Sequence, residues 1–335
     1  MKMVIHPAVE AERLDAIQLA APGAEFVNSA SEEEARAAIP GADALLGKIT
    51  PGILERADRL RWVQAFTVSL EHYVFPALIE HACVLTNMRG LFSDVIADQV
   101  MGYVICFARN LHVYIRNQRE HRYEPCGGES ARVDNASGPG TVNAMDRATI
   151  FLPDASMGIF GFGEIGREVA RRARAFGMTV RAVDCFPDRA GQGTEGVEVG
   201  GPDRLPDLLG CSDFVVIAAP HTPETERLFD RRLLSRMKPN SYLINIGRGA
   251  IVVLDDLVEA LRNGSIAGAA LDVYEQEPLP TDHPLWDLPN AILTPHTAGY
   301  STAIAPRHLA TLTANVGRFC RGEPLLNVVD KALWF

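Results

Sequence analysis

The 335-residue sequence lacks the features of membrane, secreted and nucleic-acid-binding proteins. No apolar run approaches the ~20 residues needed to cross a bilayer. Acidic residues outnumber basic ones, 42 to 32, and the formal net charge of −10 disfavours nucleic acid or an anionic membrane as the main partner. The N-terminal residues reach Pro7 and Glu10 too early for a signal peptide. These absences exclude the membrane, secreted, fibrous and disordered classes.

Cysteine is sparse, and its spacing contains no CxxC pair. The six cysteines are Cys83, Cys106, Cys126, Cys185, Cys211 and Cys320. This pattern predicts reduced thiols in a cytoplasmic protein. No metal site is expected. The hydrophobic fraction of 47% and the charged fraction of 22% are typical of a globular protein. At roughly 150 residues per domain, the length predicts about two domains.

Apolar runs and helical patterns alternate along most of the chain, which predicts an α/β fold with parallel strands. A helical pattern over residues 94–114 predicts one long helix that bridges two domains. Residues 123–144 are rich in Gly, Pro, Ser and Asn and predict a long loop. In the second half, the predicted strands are 157–160, 179–183, 214–218, 242–246, 268–271 and 291–293. Several are continuous apolar runs, as in a parallel sheet buried on both faces.

The strongest local motif is a glycine fingerprint at Gly161, Gly163 and Gly166. It follows an apolar strand and opens a helix, and the next strand ends in Asp184 at about the expected 20-residue spacing. Free N–H groups at the helix N-terminus suit a pyrophosphate. A carboxylate at Asp184 would accept bonds from ribose hydroxyls and repel a 2′-phosphate. The motif therefore predicts a dinucleotide, NAD rather than NADP, although Arg181 and Arg189 nearby leave NADP open.

Three polar residues follow predicted parallel strands: Arg248, Glu277 and His296. Open α/β sheets bind ligands at the carboxyl ends of their strands. The residue types suit the reduction of an α-keto acid. An arginine can bind the carboxylate or the carbonyl oxygen, and a histidine can donate a proton as hydride arrives. A glutamate bonded to that histidine favours its protonated form. Taken singly, each of the three is more often a surface or loop residue.

The sequence resembles the D-isomer-specific 2-hydroxyacid dehydrogenases over nearly its full length. The shared motifs appear in the family's order and are 60–64, 86–90, 160–166, 222–225, 237–250, 271–278 and 295–299. The resemblance implies an α/β protein with two Rossmann-like, doubly wound parallel-sheet domains. The flavodoxin-like substrate domain would comprise residues 1–102 and 300–335, and the NAD-binding Rossmann domain residues 103–299. It also implies a homodimer formed through the cofactor domains, to which residues 123–144 could contribute an arm.

The resemblance implies that hydride passes between NAD(H) and a small 2-keto or D-2-hydroxy acid, with glyoxylate or hydroxypyruvate as the default substrate. Arg248 would bind and polarise the substrate, Glu277 would tune the histidine, and His296 would be the acid/base. The expected cofactor-binding residues are Gly161, Phe162, Gly163, Glu164, Ile165, Gly166, Asp184, Ala219, Pro220, Thr225, Ile246, Gly247, Arg248, Asp272, His296 and Gly299. The expected substrate-binding residues are Lys48, Thr67, Val68, Arg248 and His296.

Several positions depart from the family pattern. Val68 stands in a turn that usually has glycine and offers backbone N–H groups to the substrate carboxylate. Lys48 stands in a loop where many members have an arginine–serine pair, and Asp98-Gln99 replaces a Glu-His pair. Two alternatives stay open: a scaffold similar to the C-terminal-binding-protein corepressors, and a family member that binds the dinucleotide without turnover. Formate dehydrogenases are disfavoured because they have glutamine where this chain has Glu277.

Overall fold

Two parallel sheets organise the chain, each in its own structural unit. The computed structural model describes residues 1–71, 73–133, 140–189 and 196–334, without the side chain of Arg189. The first unit comprises residues 1–92 and 301–335, and the second comprises residues 93–300. The boundary predicted between residues 102 and 103 falls ten residues later than this division, inside a helix that begins at Ser93. Residues 134–139 of the predicted loop lie outside the described residues.

The first unit contains a five-stranded parallel sheet. Its strands are β1 (Lys2–His6), β2 (Glu25–Asn28), β3 (Ala44–Gly47), β4 (Trp62–Gln64) and β5 (Val84–Thr86). Its helices are α1 (Ala11–Ala20), α2 (Glu32–Ala38), α3 (Pro51–Leu54), α4 (Pro76–Glu80) and, from the C-terminal segment, α12 (Ile304–Arg321). The strand order β2-β1-β3-β4-β5 is that of a flavodoxin-like doubly wound sheet.

Alternate side chains of these strands enter two apolar clusters, one on each face of the sheet. Val4, Leu45 and Val63 belong to one cluster, and Met3, Leu46 and Trp62 to the other. The second cluster includes residues of α12: the Trp62 and Phe319 rings lie 4.9 Å apart. A buried hydrogen bond of 2.8 Å from Asn315 to Gln64 fixes the same helix on the sheet. The C-terminal segment is therefore part of the first unit's core.

The second unit contains a seven-stranded parallel sheet. Its strands are β6 (Ser156–Phe160), β7 (Thr179–Val183), β8 (Glu198–Gly200), β9 (Phe214–Ile217), β10 (Tyr242–Asn245), β11 (Gly268–Leu271) and β12 (Ala291–Leu293). Its α-helices are α5 (Ser93–Ala108), α6 (Leu111–Arg119), α7 (Ala144–Arg147), α8 (Glu164–Ala175), α9 (Leu205–Cys211), α10 (Arg231–Leu234) and α11 (Leu254–Arg262). The six strands predicted for this half are confirmed, and β8 is additional.

The strand order is β12-β11-β10-β9-β6-β7-β8, so successive strands are added in opposite directions from the neighbouring strands β6 and β9. The chain crosses from β6 outward to β8 on one side, then returns to β9 and continues outward to β12. In such sheets the loops at the carboxyl ends diverge at the reversal and leave a crevice for a ligand. The predicted α/β class with two doubly wound sheets is confirmed.

The helix predicted over residues 94–114 is wrong as a single element. α5 ends at Ala108, and Asn110 adopts a left-handed conformation with φ of 56° before α6 begins at Leu111. Asparagine tolerates this conformation better than most residues, so it breaks the helix even though the apolar period continues. Among the described residues, no helix combines the length and the apolarity needed to span a membrane.

Candidate active site

The glycine loop between β6 and α8 is tightly folded at two glycines and open at the third. A Cβ atom on Gly161, whose φ is 94°, would lie 2.5 Å from the backbone nitrogen of Ala219. A Cβ on Gly166 would lie 2.3 Å from the carbonyl oxygen of Gly161. Around Gly163, by contrast, no heavy atom of the described chain, apart from Gly163 and its two neighbours in sequence, lies within 4 Å of that position. The loop therefore leaves room for a ligand beside Gly163.

The N-terminus of α8 begins at this open position. Gly163 is the N-cap residue, and among the described residues no side chain caps the helix there. The N–H groups of the first turn are thus available to an anion, and the helix dipole favours negative charge at this end. Phe162, Glu164 and Ile165 lie in the same loop and first turn. These residues fit the pyrophosphate of a dinucleotide.

Asp184 lies immediately after β7, and its carboxylate forms a hydrogen bond with the glycine loop. Its Oδ2 accepts a 2.7 Å hydrogen bond from the N–H of Phe162, and its Oδ1 accepts one of 2.8 Å from the N–H of Phe186. A carboxylate has about four acceptor positions, so ribose hydroxyls can still donate to it. The tie to Phe162 was missed by the sequence analysis, since no local pattern marks it. Arg181 pairs with Glu198, 3.3 Å away.

The loops after β9 and β10 approach each other closely at this edge of the sheet. A Cβ on Gly247 would lie 2.7 Å from the carbonyl oxygen of Ala219, so the chain needs glycine here. Ala219 and Ile246 are both buried. The Thr225 hydroxyl bonds within the loop after β9, where it donates to the carbonyl of Pro220 at 2.8 Å. The structure thus brings the predicted cofactor residues of these two loops together.

Arg248 follows β10 in a turn that Asn245 holds in place. The Asn245 amide donates to the carbonyl of Arg248 at 3.0 Å, and its oxygen accepts the N–H of Gly247 at 3.1 Å. The Arg248 guanidinium donates to the carbonyl of Gly247 at 2.7 Å. A Cβ on Gly249 would lie 1.9 Å from the Tyr274 carbonyl group, so this turn packs directly against the loop after β11.

His296 and Glu277 form a direct pair. The Nδ1 atom of His296 lies 2.7 Å from Oε2 of Glu277, and their side chains are 51% and 36% exposed. The other carboxylate oxygen, Oε1, accepts the N–H of Tyr274 at 3.0 Å. The carboxylate is thus fixed on one side by backbone and on the other by the imidazole. Because Nδ1 faces Glu277, Nε2 is the nitrogen that can act on a substrate.

Asp272 follows β11 directly and is buried, with an exposed fraction of 2%. Its carbonyl accepts the N–H of His296 at 2.9 Å. Its carboxylate accepts the N–H groups of Thr297 and Ala298, each at 2.9 Å. Asp272 therefore organises the turn of His296, which continues to Gly299. The adjacent Tyr274 is buried, and burial raises the pKa of its phenol.

The predicted substrate residues Lys48, Thr67 and Val68 belong to the first unit, unlike Arg248, Glu277 and His296. Lys48 is exposed, and its N–H donates to the carbonyl of His6 at 2.6 Å.

The turn after β4 is held through its carbonyl groups. The carbonyl of Thr67 accepts the N–H of Met88 at 3.0 Å, and that of Val68 accepts the side-chain amide of Asn87 at 2.9 Å. The carbonyl of Phe66 accepts Nε2–H of His308 at 3.2 Å. The side chain of Val68 packs against the apolar cluster that contains Trp62. The backbone of this turn is therefore fixed in place.

Residues 101–298 match the model of the family "D-isomer specific 2-hydroxyacid dehydrogenase, NAD binding domain". This match covers more than half of the chain. The chain belongs to the D-isomer specific 2-hydroxyacid dehydrogenase family. As a member of this family it is an NAD(P)-dependent enzyme, and the open glycine loop with its uncapped helix fits such a cofactor.

The names of relatives of this dehydrogenase refer to different substrates. It is 32% identical over 297 residues to the glyoxylate reductase of Korarchaeum cryptofilum, covering 88% of this chain and 84% of that protein. It is 30% identical to the D-3-phosphoglycerate dehydrogenase of Methanocaldococcus jannaschii, covering 91% of this chain but only 55% of that one. A solved structure of an NADPH-dependent glyoxylate/hydroxypyruvate reductase from Sinorhizobium meliloti, in complex with NADP and sulfate, aligns with a TM-score of 0.77. That alignment has 26% identity and covers 100% of this chain and 99% of that one.

Proposed function

We propose that the protein interconverts a small 2-keto acid and the corresponding D-2-hydroxy acid, with His296 as the acid/base. The observation that supports this most directly is the 2.7 Å contact between His296 and Glu277. The same carboxylate accepts the N–H of Tyr274, whose carbonyl group packs against Gly249 in the turn of Arg248. Bound nicotinamide supplies or accepts the hydride. The Nε2–H of His296 donates a proton to the carbonyl oxygen as C2 gains the hydride, and the reverse reaction returns that proton.

Arg248 and Glu277 have different tasks in this proposal. Arg248 binds the carboxylate or carbonyl oxygen of the substrate, because a guanidinium donates several directed, charge-assisted bonds. Glu277 orients the imidazole and stabilises its positive charge when it holds the proton. The N–H of Tyr274 fixes the carboxylate in this task.

We infer a preference for NAD over NADP from the end of β7. Asp184 accepts a hydrogen bond from Phe162 of the glycine loop. When a pyrophosphate binds at such a loop, the adenosine ribose lies beside the end of the second strand. A carboxylate there binds two hydroxyls and repels a 2′-phosphate. Arg181 pairs with Glu198 and is partly neutralised by it. The Sinorhizobium relative binds NADP, so this preference needs a direct comparison of the two cofactors.

The proposed substrates are glyoxylate and hydroxypyruvate, which are named for several relatives. In the first unit, Lys48 and the turn of Thr67 and Val68 would hold the substrate carboxylate. We also propose a homodimer formed through the cofactor domains. Deletion of residues 129–141 tests whether that segment contributes to the dimer, since an intact dimer would exclude it.

The deciding experiment measures NADH oxidation by absorbance against a panel of 2-keto acids, with NADPH in parallel. His296→Asn is the informative variant, because His296 has a φ of 54° and asparagine tolerates that conformation. We expect a decrease in kcat of about 10²- to 10⁴-fold with NADH binding retained. His121→Asn is the matched control, since His121 is exposed with a φ of 53°.

The control should retain parental kcat. Tight NADH binding by the parent without turnover of any acid would instead favour a scaffold or a binding-only protein. Equal kcat in His296→Asn and the parent would exclude His296 as the acid/base.

A further inference from the structure

A chain of polar contacts connects helix α5 with the turn of His296. The hydroxyl of Tyr103 in α5 lies 2.5 Å from the Oγ1 atom of Thr294. The Thr294 hydroxyl donates to Oδ1 of Asp272, also at 2.5 Å. Tyr103 and Asp272 are 3% and 2% exposed. Neither Tyr103 nor Thr294 has a task in the mechanism proposed above.

The Asp272 carboxylate determines which group donates and which accepts in the series Tyr103–Thr294–Asp272. The Asp272 carboxylate accepts two backbone N–H groups, those of Thr297 and Ala298. A carboxylate only accepts, so the Thr294 hydrogen is committed to Asp272. Tyr103 must then donate its own hydrogen to Thr294. Burial raises the pKa of Tyr103, which keeps the phenol protonated and able to donate.

These bonds surround a strained residue. His296 has a left-handed φ of 54°, a conformation that histidine rarely adopts without support from its surroundings. The Asp272 carboxylate holds Thr294 before it and Thr297 and Ala298 after it, while the Asp272 carbonyl accepts the N–H of His296 itself. The orientation of one carboxylate therefore sets the position of the whole turn.

We propose that Tyr103 is a positioning residue for His296, acting through Thr294 and Asp272. Its hydroxyl fixes the Thr294 hydroxyl, which orients the Asp272 carboxylate and thereby the backbone that presents the imidazole to Glu277. A phenylalanine would fill the same space but could not form this hydrogen bond. The proposed positioning therefore depends on the tyrosine hydroxyl and not on the aromatic ring. The inference rests on the proposed function only in taking His296 as the proton donor.

Tyr103→Phe removes the hydroxyl and leaves the bond from Thr294 to Asp272 in place. We expect kcat to fall about three- to tenfold, the range for loss of one buried hydrogen bond, with the Kd for NADH unchanged. Tyr242→Phe is the matched control: Tyr242 lies in the same unit and stacks on Phe107 of α5, with ring centroids 4.5 Å apart. It should retain parental kcat.

A double-mutant cycle separates positioning from simple packing. Thr294→Val removes both contacts of the Thr294 hydroxyl and should lower kcat more than Tyr103→Phe does. Thr294→Ser keeps a hydroxyl and should retain most of the parental kcat. In the Thr294→Val background, Tyr103→Phe should have almost no further effect, because the bond that it removes is already absent. Additive losses in kcat would overturn the proposal.

Amide hydrogen exchange of residues 293–300 gives a readout that needs no turnover. We expect faster exchange there in Tyr103→Phe than in the parent or in Tyr242→Phe. Parental exchange and parental kcat in Tyr103→Phe would overturn the inference even if the melting temperature fell. If the parent itself reduces no 2-keto acid, the proposed function fails, while the exchange rates still decide whether Tyr103 positions the turn.

Discussion

The two sheets of the protein offer different chemical groups at their carboxyl edges. The second unit's sheet presents side chains: Arg248 after β10, Glu277 after β11 and His296 after β12. The first unit's sheet presents a turn at residues 66–69 whose carbonyls are engaged by Asn87, Met88 and His308. The same parallel architecture thus supports an edge with an acid/base pair in one unit and, in the other, an edge with a fixed backbone turn and the exposed Lys48 after β3.

The difference matches what each task requires under the proposed function. Proton transfer needs a group that changes its charge, so the second edge must hold an ionisable side chain in a defined place. Binding a carboxylate needs only donors of fixed direction, which a rigid backbone turn provides. Mutations of the acid/base pair at the second edge should therefore change kcat, and mutations at the first should change the KM for the acid, whereas mutations at the end of β7 should change the KM for the dinucleotide. The following three variants test this division.

The largest effect is expected for Glu277→Gln. Its neutral amide cannot stabilise the positive charge that His296 carries with the proton, so kcat should fall about 10- to 100-fold with the Kd for NADH unchanged. Steady-state rates and NADH fluorescence titration measure the two quantities. Glu275→Gln is the control, because Glu275 lies two residues earlier and pairs with Arg227 at 2.8 Å. A fall in kcat for Glu275→Gln as large as for Glu277→Gln would contradict the assignment.

An intermediate effect is expected for Asp184→Asn. This variant removes the charge that disfavours a 2′-phosphate and weakens the tie to Phe162. We expect the KM for NADH to rise about three- to tenfold and the ratio of NADPH to NADH efficiency to increase. Asp207→Asn, at an exposed position of α9, should change neither value. A KM that rises equally for both cofactors would show that Asp184 holds the loop without selecting the cofactor.

The smallest effect is expected for Val68→Gly in the first unit. The valine side chain packs against the cluster around Trp62, so its loss opens space beside the turn. The KM for hydroxypyruvate should fall relative to that for glyoxylate by about threefold or more, while kcat changes little. The panel of acids is its own control, because a general loss of stability would affect all of them alike. Identical KM ratios in the variant and the parent would remove Val68 from substrate selection.

The sequence predicted the central strands and the apolar outer strand β12, but not the outer strands that contain a glutamate. β9 and β10 are buried and apolar, and their runs are visible without any structure. β2 and β8 were missed: both lie at outer positions of their sheets, are only partly buried and contain Glu25 and Glu198. An outer strand is covered less than a central one, so its residues need not be continuously apolar. The pattern on which prediction depends is then absent.

The predicted site residues lie at the expected edge because parallel strands all end on the same side. The contacts that fix them could not be predicted in the same way. Asp184 with Phe162 and Tyr103 with Thr294 join residues that are distant in sequence, and no spacing rule relates them. Likewise, the helical period continues through Asn110, where a single left-handed residue divides α5 from α6. These features depend on tertiary contacts and on single backbone conformations.

The division of the first unit into residues 1–92 and 301–335 has a consequence for synthesis on the ribosome. Its sheet is translated before the second unit, whereas Leu312 and Val316, which belong to its core, are translated after the second unit. The second unit is translated in between, with all of its strands in one continuous segment. It can therefore complete its fold while the nascent first sheet still lacks α12. During that interval the apolar cluster around Trp62 lacks the side chains of α12 and is packed only by residues of the N-terminal segment, such as Ile17.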